Sequence, residues 1–300
     1  MTILLTLLGT AIIVVVARDV FQTLFHPRGS GNLSRRLMRV VWRLFRWAAH
    51  GEHARLKLAG PVTMIGIFAS WTLLLMLGWA LVLQPYLPEE FLLSSGLDPA
   101  RQGGFLDALY LSMVTLATLG YGDITPETNW LRLVVPLEAL VGFALLTAAI
   151  SWVLSIYPVL SRRHSLAREV TLMREAEGKT GVSVLNLRSA TAEPLLASLT
   201  SRVIAIHDDL VRLPITYYFQ AIDRRSALFL AAPSLLRLAE SATAPDCPPG
   251  IRLRGTMLHG ALEDLAHELG RHLSDDNHDS LDAAFRAYAA DHAYSVEESG

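Results

Sequence analysis

Three stretches of the chain are apolar for about 20 residues or more, the length an α-helix needs to cross a bilayer. They run from 1 to about 25, from about 60 to 83 and from about 130 to 157. Inside lipid each backbone polar group needs a partner in its own segment, so these stretches read as helices. The chain is 52% hydrophobic, little above the soluble range of about 45–50%, because the excess is confined to the first half. The first stretch has no basic residue ahead of its apolar run, unlike a cleaved secretion signal, and carries Arg18 and Asp19 near its end. Cys247 is the sole cysteine, so no intrachain disulfide exists and the residue reads as a loop thiol.

Charge orients the spans. Residues 26–58 hold eight basic residues and one acid, Glu52, whereas 85–104 hold Glu89, Glu90 and Asp98 against Arg101. Arg162, Arg163 and Arg168 follow the last span. Cytoplasmic loops carry the excess of basic residues, which places 26–58 and the C-terminal half inside the cell and the N-terminus outside. The expected location is a plasma (inner) membrane, crossed several times. Within 33–57, Arg36, Arg39, Arg43, Arg46, His50, His53 and Lys57 recur in steps of three and four, which makes one stripe of a helix. Such a helix is expected to lie on the inner leaflet, with Arg36, Arg39, Arg43 and Arg46 reaching anionic headgroups. A voltage sensor would need partner helices around the arginines, and one span precedes this segment.

Between the second and third spans, 105–117 is helical in pattern but covers only about 20 Å at about 1.5 Å per residue, too short to cross. It reads as a re-entrant helix, tolerated where protein surrounds it. It delivers the chain to Thr118-Leu119-Gly120-Tyr121-Gly122-Asp123. Its C-terminal end places partial negative charge there. Alternating glycines free the backbone for angles closed to other residues, so that successive carbonyls can share one direction.

Residues 60–157, about a third of the chain, resemble the bacterial two-transmembrane potassium channel family through the motif Thr-x-Gly-Tyr-Gly-Asp. The resemblance implies a homotetrameric pore-loop channel: outer helix, re-entrant pore helix, filter and inner helix. In it Thr118, Leu119, Gly120, Tyr121 and Gly122 bind K⁺ through rings of oxygens that replace its water shell. Leu119 stands where Val or Ile is commoner, and Val114 stands where some members have a glutamate bonded behind the filter. Tyr110 is placed to offer its hydroxyl to the filter's outer part, and Tyr121 is expected to pack against the pore helix. The resemblance puts a hinge glycine at Gly142. Close helix packing through a small residue explains it equally well. Phe143, Leu146, Ile150 and Leu154 continue at helical spacing toward a cavity or gate, and Pro158 is expected to end or kink the span. Glu138 is an ionisable group at membrane depth, hence costly. It reads either as a carboxyl bonded to the pore helix near Ser112 or Thr115, or as a coupling of pH to gating.

The C-terminal half carries 15 Arg or Lys against 19 Asp or Glu over 162–300. Its pattern predicts helices near 165–177, 191–212, 215–231, 234–243, 251–273 and 280–293, broken at Pro214 and Pro233, with 182–187 the one strand candidate. No Gly-x-Gly-x-x-Gly follows a strand, and Gly178-Lys179-Thr180 lacks the glycine of a phosphate loop, since Met173 occupies that position. His267 and His272 are five apart, whereas a zinc helix needs four. His259, His267, His272, His278 and His292 read as solvated.

The expectation is therefore an all-α membrane protein in four segments. Residues 1–25 form an N-terminal transmembrane helix, 26–58 a basic interfacial segment, 59–158 a pore domain and 159–300 an α-helical cytoplasmic domain. It conducts K⁺ passively, is not an enzyme, and needs no cofactor and no nucleic acid. A poorly selective cation channel and a non-conducting membrane subunit are the rivals. The cytoplasmic regulator is not legible.

Overall fold

The computed structural model describes residues 2–25, 31–49, 56–94, 103–221, 226–273 and 280–292. His50, His53 and His278 lie outside the described residues. Nine α-helices are described: α1 (Thr2–Leu24), α2 (Asn32–Ala49), α3 (Ala59–Leu83), α4 (Phe105–Leu116), α5 (Leu131–Thr180), α6 (Ser189–Arg212), α7 (Leu228–Ala242), α8 (Pro249–Gly270) and α9 (Leu281–Asp291). Strands β1 (Phe91–Leu93) and β2 (Ile124–Pro126) pair antiparallel, with Leu92 opposite Thr125. This is an all-α membrane protein apart from that ribbon. α1, α3 and α5 are each long and apolar enough to span a bilayer.

The chain divides into two compact units. In the first, which takes in 2–25, 31–37 and 64–154, α1 crosses α3 through glycines. A Cβ on Gly9 would stand 2.4 Å from the Gly78 carbonyl oxygen, and one on Gly78 would stand 2.8 Å from Ile13. Small residues let backbones approach this closely where lipid supplies no hydrophobic drive. Asp19, 4% exposed, ties three elements together. It accepts from the Leu33 and Ser34 amides (2.8 and 3.2 Å), the Ser34 hydroxyl (2.6 Å) and Trp71 Nε1 (2.9 Å). The first two donors belong to the first turn of α2, where backbone N–H groups lack helical partners and favour a negative neighbour. Strand β2 directly follows the 118–123 loop, whereas β1 precedes α4. Ser94 N donates to Asp123 O and Glu127 N to Glu90 O, both at 2.9 Å.

The second unit takes in 38–49, 56–63 and the described residues from 155 onward. α7 is buried along most of its length, from Leu228 through Ala242. That burial carries it through Pro233, where the sequence predicts a break. One lost backbone bond is outweighed by tertiary packing of both neighbouring turns. The helix predicted at 215–231 is instead a 3₁₀ turn (Pro214–Tyr218) followed by α7. α5 likewise continues through Pro158. The strand candidate at 182–187 is a 3₁₀ turn, Val184–Asn186, opened by the Ser183 hydroxyl.

Arg162 forms a two-bond pair with Asp209 (2.8 and 2.7 Å), and buried Arg163 donates to the carbonyls of Thr216 (2.9 Å) and Phe219. Asp291 accepts from Trp42 Nε1 (2.9 Å), Tyr217 OH (2.7 Å) and Arg46 (2.5 Å). His292 is not solvated as the sequence suggests. It is 2% exposed, with its two ring nitrogens 3.0 and 2.9 Å from the carbonyls of Tyr288 and Tyr217. Burial holds its imidazole below the usual histidine range, against the pull of those carbonyls and of Asp291.

Candidate functional site: the loop at 118–123 and its supports

α4 forms where the sequence places it. Gly104 precedes it in an extended conformation, and Asp107 accepts from the amides of Gly103 and Gly104, both at 3.0 Å, which closes its first turn. The helix ends in a knot of backbone bonds. Thr118 N donates to Thr115 O (2.9 Å), and Val114 O accepts from both Leu119 N (2.9 Å) and Gly120 N (3.5 Å). Val114 lacks the side-chain acid of some resembling channels, yet its carbonyl anchors the start of the loop.

The loop backbone alternates. Thr118, Gly120 and Gly122 take φ of 57°, 57° and 77°. Two of the three are glycines, which enter this region freely, whereas Thr118 does so at a cost on the order of 1–3 kcal/mol. A Cβ on Gly120 or Gly122 meets nothing within 4 Å, so backbone angle rather than crowding explains those glycines. Among the described residues, no backbone N–H donates to the carbonyls of Thr118 to Gly122. The residues themselves are exposed, Leu119 at 56% and Tyr121 at 67%. Tyr121 is thus left largely exposed in the single chain.

Three contacts hold the loop and its helix. Tyr110 OH donates to Asp123 at 2.6 Å, as expected from its place in the sequence. Ser112 Oγ donates to Glu138 Oε1 at 2.5 Å, and both residues are fully buried. Glu138 Oε2 has no partner among the described residues. One turn along each helix, a Cβ on Gly142 would stand 1.9 Å from the Leu116 carbonyl oxygen. Gly142 thus serves close packing at α4's last turn. A cavity of about 260 Å³ lies below the loop, lined by Phe68, Thr72, Met76, Thr118, Gly142 and Phe143 among others. Phe143, Leu146, Ile150 and Leu154 share one face of α5 and are 54–65% exposed.

On α2, Arg36, Arg39 and Arg43 are exposed. Arg46, about half exposed, pairs with Asp291. The role of Asp19 is not legible in sequence, because its donors lie 14, 15 and 52 residues away. Only the two small polar residues opening α2, Asn32 and Ser34, hinted at a capped helix start.

The loop lies within a stretch that matches a known family. Residues 69–157 match the family described as "Ion channel". The chain is similar in sequence to several known proteins. The uncharacterised membrane protein YdjJ of Bacillus subtilis is 27% identical over 151 residues, 50% of this chain and 43% of that protein. The two-pore potassium channel 5 of Arabidopsis thaliana is 42% identical over 50 residues, 17% of this chain and 12% of that one. The hyperpolarization-activated voltage-gated potassium channel of Methanocaldococcus jannaschii is 40% identical over 45 residues, 15% and 21% of the two chains. The chain thus spans less than half the length of these relatives. No solved structure matches it significantly. The three long apolar helices and the membrane-protein relative support a multi-pass membrane location, and residues 69–157 match an ion-channel domain.

Proposed function

We propose that the chain is the subunit of a homotetrameric, potassium-selective channel that conducts passively through Thr118, Leu119, Gly120, Tyr121 and Gly122. The observation that carries this reading is the loop backbone, with left-handed angles at 118, 120 and 122 and carbonyls that no backbone N–H among the described residues engages. Bare carbonyls at membrane depth are tolerated only where they line a cavity or face protein. Four such loops around an axis supply stacked oxygen rings that replace the hydration of K⁺. Exposed Tyr121 and Leu119 are then covered by neighbouring subunits, which a closed ring of identical copies provides. Two of the similar proteins named above are potassium channels, which supports the choice of ion. The exposed stripe Phe143, Leu146, Ile150 and Leu154 is the proposed gate, closing by loss of water from an apolar constriction.

The charge pattern supports an inner-membrane orientation with the second unit in the cytoplasm. Exposed Arg36, Arg39 and Arg43, beside Leu44 (58% exposed) and Trp47 (76%), support contact of α2 with anionic headgroups. The test is single-channel recording of the purified full chain in bilayers under opposed K⁺ and Na⁺ gradients, with and without anionic lipid. A reversal potential near that of K⁺ and greater activity with anionic lipid are expected. A reversal potential midway between the two ions indicates a non-selective pore, and silence in every lipid indicates a non-conducting subunit.

A further inference from the structure

Glu138 is an expensive choice for a packing position. A leucine would fill the space, whereas a buried carboxyl loses its hydration and recovers it only through hydrogen bonds. Here it recovers one, from Ser112, and its second oxygen has no partner among the described residues. The neighbourhood explains why the one bond matters. Ser112 and Leu116 are four apart on α4, and Glu138 and Gly142 are four apart on α5, so each pair lies on one face of its helix. The two helices therefore meet in a ladder of two rungs. One rung is the Ser112–Glu138 hydrogen bond at 2.5 Å, and the other is the Leu116 carbonyl against the bare Cα of Gly142. Between the rungs on α4 stands Val114, whose carbonyl receives Leu119 N and Gly120 N. The ladder thus grips the helix on either side of the group that anchors the proposed filter.

The sliding rung is the apolar one, because a glycine contact has no directional bond. The Ser112–Glu138 bond is directional, and it adds a polar stop to the apolar packing of Leu111 and Leu131 between α4 and α5. Val114 cannot brace the filter with its side chain, since it carries no polar group. Tyr110–Asp123 braces the outer end only.

We propose that Glu138 is the positioning residue of the pore: through Ser112 it sets the seat of α4, and thereby the spacing of the ion-binding carbonyls at Thr118 to Gly122. The inference rests on reading those residues as a potassium filter.

The experiment is a double-mutant cycle on the reconstituted full chain, reading the K⁺/Na⁺ permeability ratio and the fraction of time the open pore conducts. Oligomer recovery by size exclusion is the control for assembly. Glu138→Leu and Ser112→Ala are each expected to lower the permeability ratio roughly tenfold, the scale of one buried hydrogen bond lost. Combining them is expected to add little, because the second change removes a partner already idle. Glu138→Gln keeps an acceptor for Ser112 and is expected to stay within about twofold of wild type. If Glu138→Leu fails to assemble, Ser112→Ala and Glu138→Gln still decide the matter, since they differ in whether the bond survives. Wild-type discrimination in Ser112→Ala, or fully multiplicative effects in the double variant, overturns the proposal. A wild-type channel that does not prefer K⁺ overturns the filter reading instead, a result separable from the variants' behaviour.

Discussion

Asp19 and Glu138 are both buried carboxyl groups, 4% and 0% exposed, yet they sit in opposite kinds of surroundings. At the α1–α2 joint, both Asp19 oxygens are engaged and four donors converge from α2 and α3. Beside the pore helix, Glu138 has one donor on one oxygen. A fully satisfied buried group specifies a single arrangement, because every alternative strands several donors at once. A half-satisfied one commits less, and its single bond decides one degree of freedom. The first region is built as an immovable corner, the second as an adjustment.

The contrast is broken most directly at Asp19. Asp19→Ala leaves the Ser34 hydroxyl, the Trp71 indole and two amides of α2 without an acceptor. A loss of about 3–5 kcal/mol is expected, as for one partner removed from a buried charged network. Thermal unfolding of the purified protein, followed by tryptophan fluorescence, should show a greatly lowered midpoint. A midpoint within a degree of wild type means that the joint is not the corner described.

The contrast is sharpened by matched amide substitutions. Asp19→Asn puts an N–H₂ where an acceptor is needed by at least one donor, and about 1–3 kcal/mol is expected to be lost. Glu138→Gln leaves Oε1 in place for Ser112 and should cost under about 0.5 kcal/mol. Equal shifts in the two variants would erase the distinction between the sites.

The smallest effect concerns the buried histidine of the second unit. Burial lowers the folded-state value of His292 below that of the unfolded chain. The unfolded chain then binds more protons as pH falls through the ordinary histidine range near 6.5, so stability present above that range is lost below it. A drop of a few degrees in the midpoint is expected between about pH 8 and about pH 5.5, and His292→Gln should flatten part of it. Identical slopes in both proteins would remove His292 from the account.

Much of the 105–123 region is legible in the sequence. Local pattern sets α4, the Thr118–Asp123 loop and the Tyr110 contact, because each depends on residues within about one or two dozen positions. Glu138 was legible for another reason, since a charge inside an apolar run needs a partner and Ser112 is a nearby hydroxyl on the facing helix. Asp19 was not, because its flanking position looks like any charge at a span's end and its donors are distant. Pro158 and Pro233 misled, since a proline's local penalty is visible in sequence while the burial that overrides it is not. The β1–β2 ribbon escaped notice because three-residue strands carry almost no alternation to read.

Gly142 leaves no room for an experimenter. Helix bending at a glycine is ordinarily probed by inserting alanine, on the assumption that only flexibility changes. Here the added methyl would strike the carbonyl of Leu116, two residues before Thr118. Any alteration of conduction in such a variant would therefore mix two origins, stiffness below and displacement above, and separating them requires a substitution on α5 that faces away from α4.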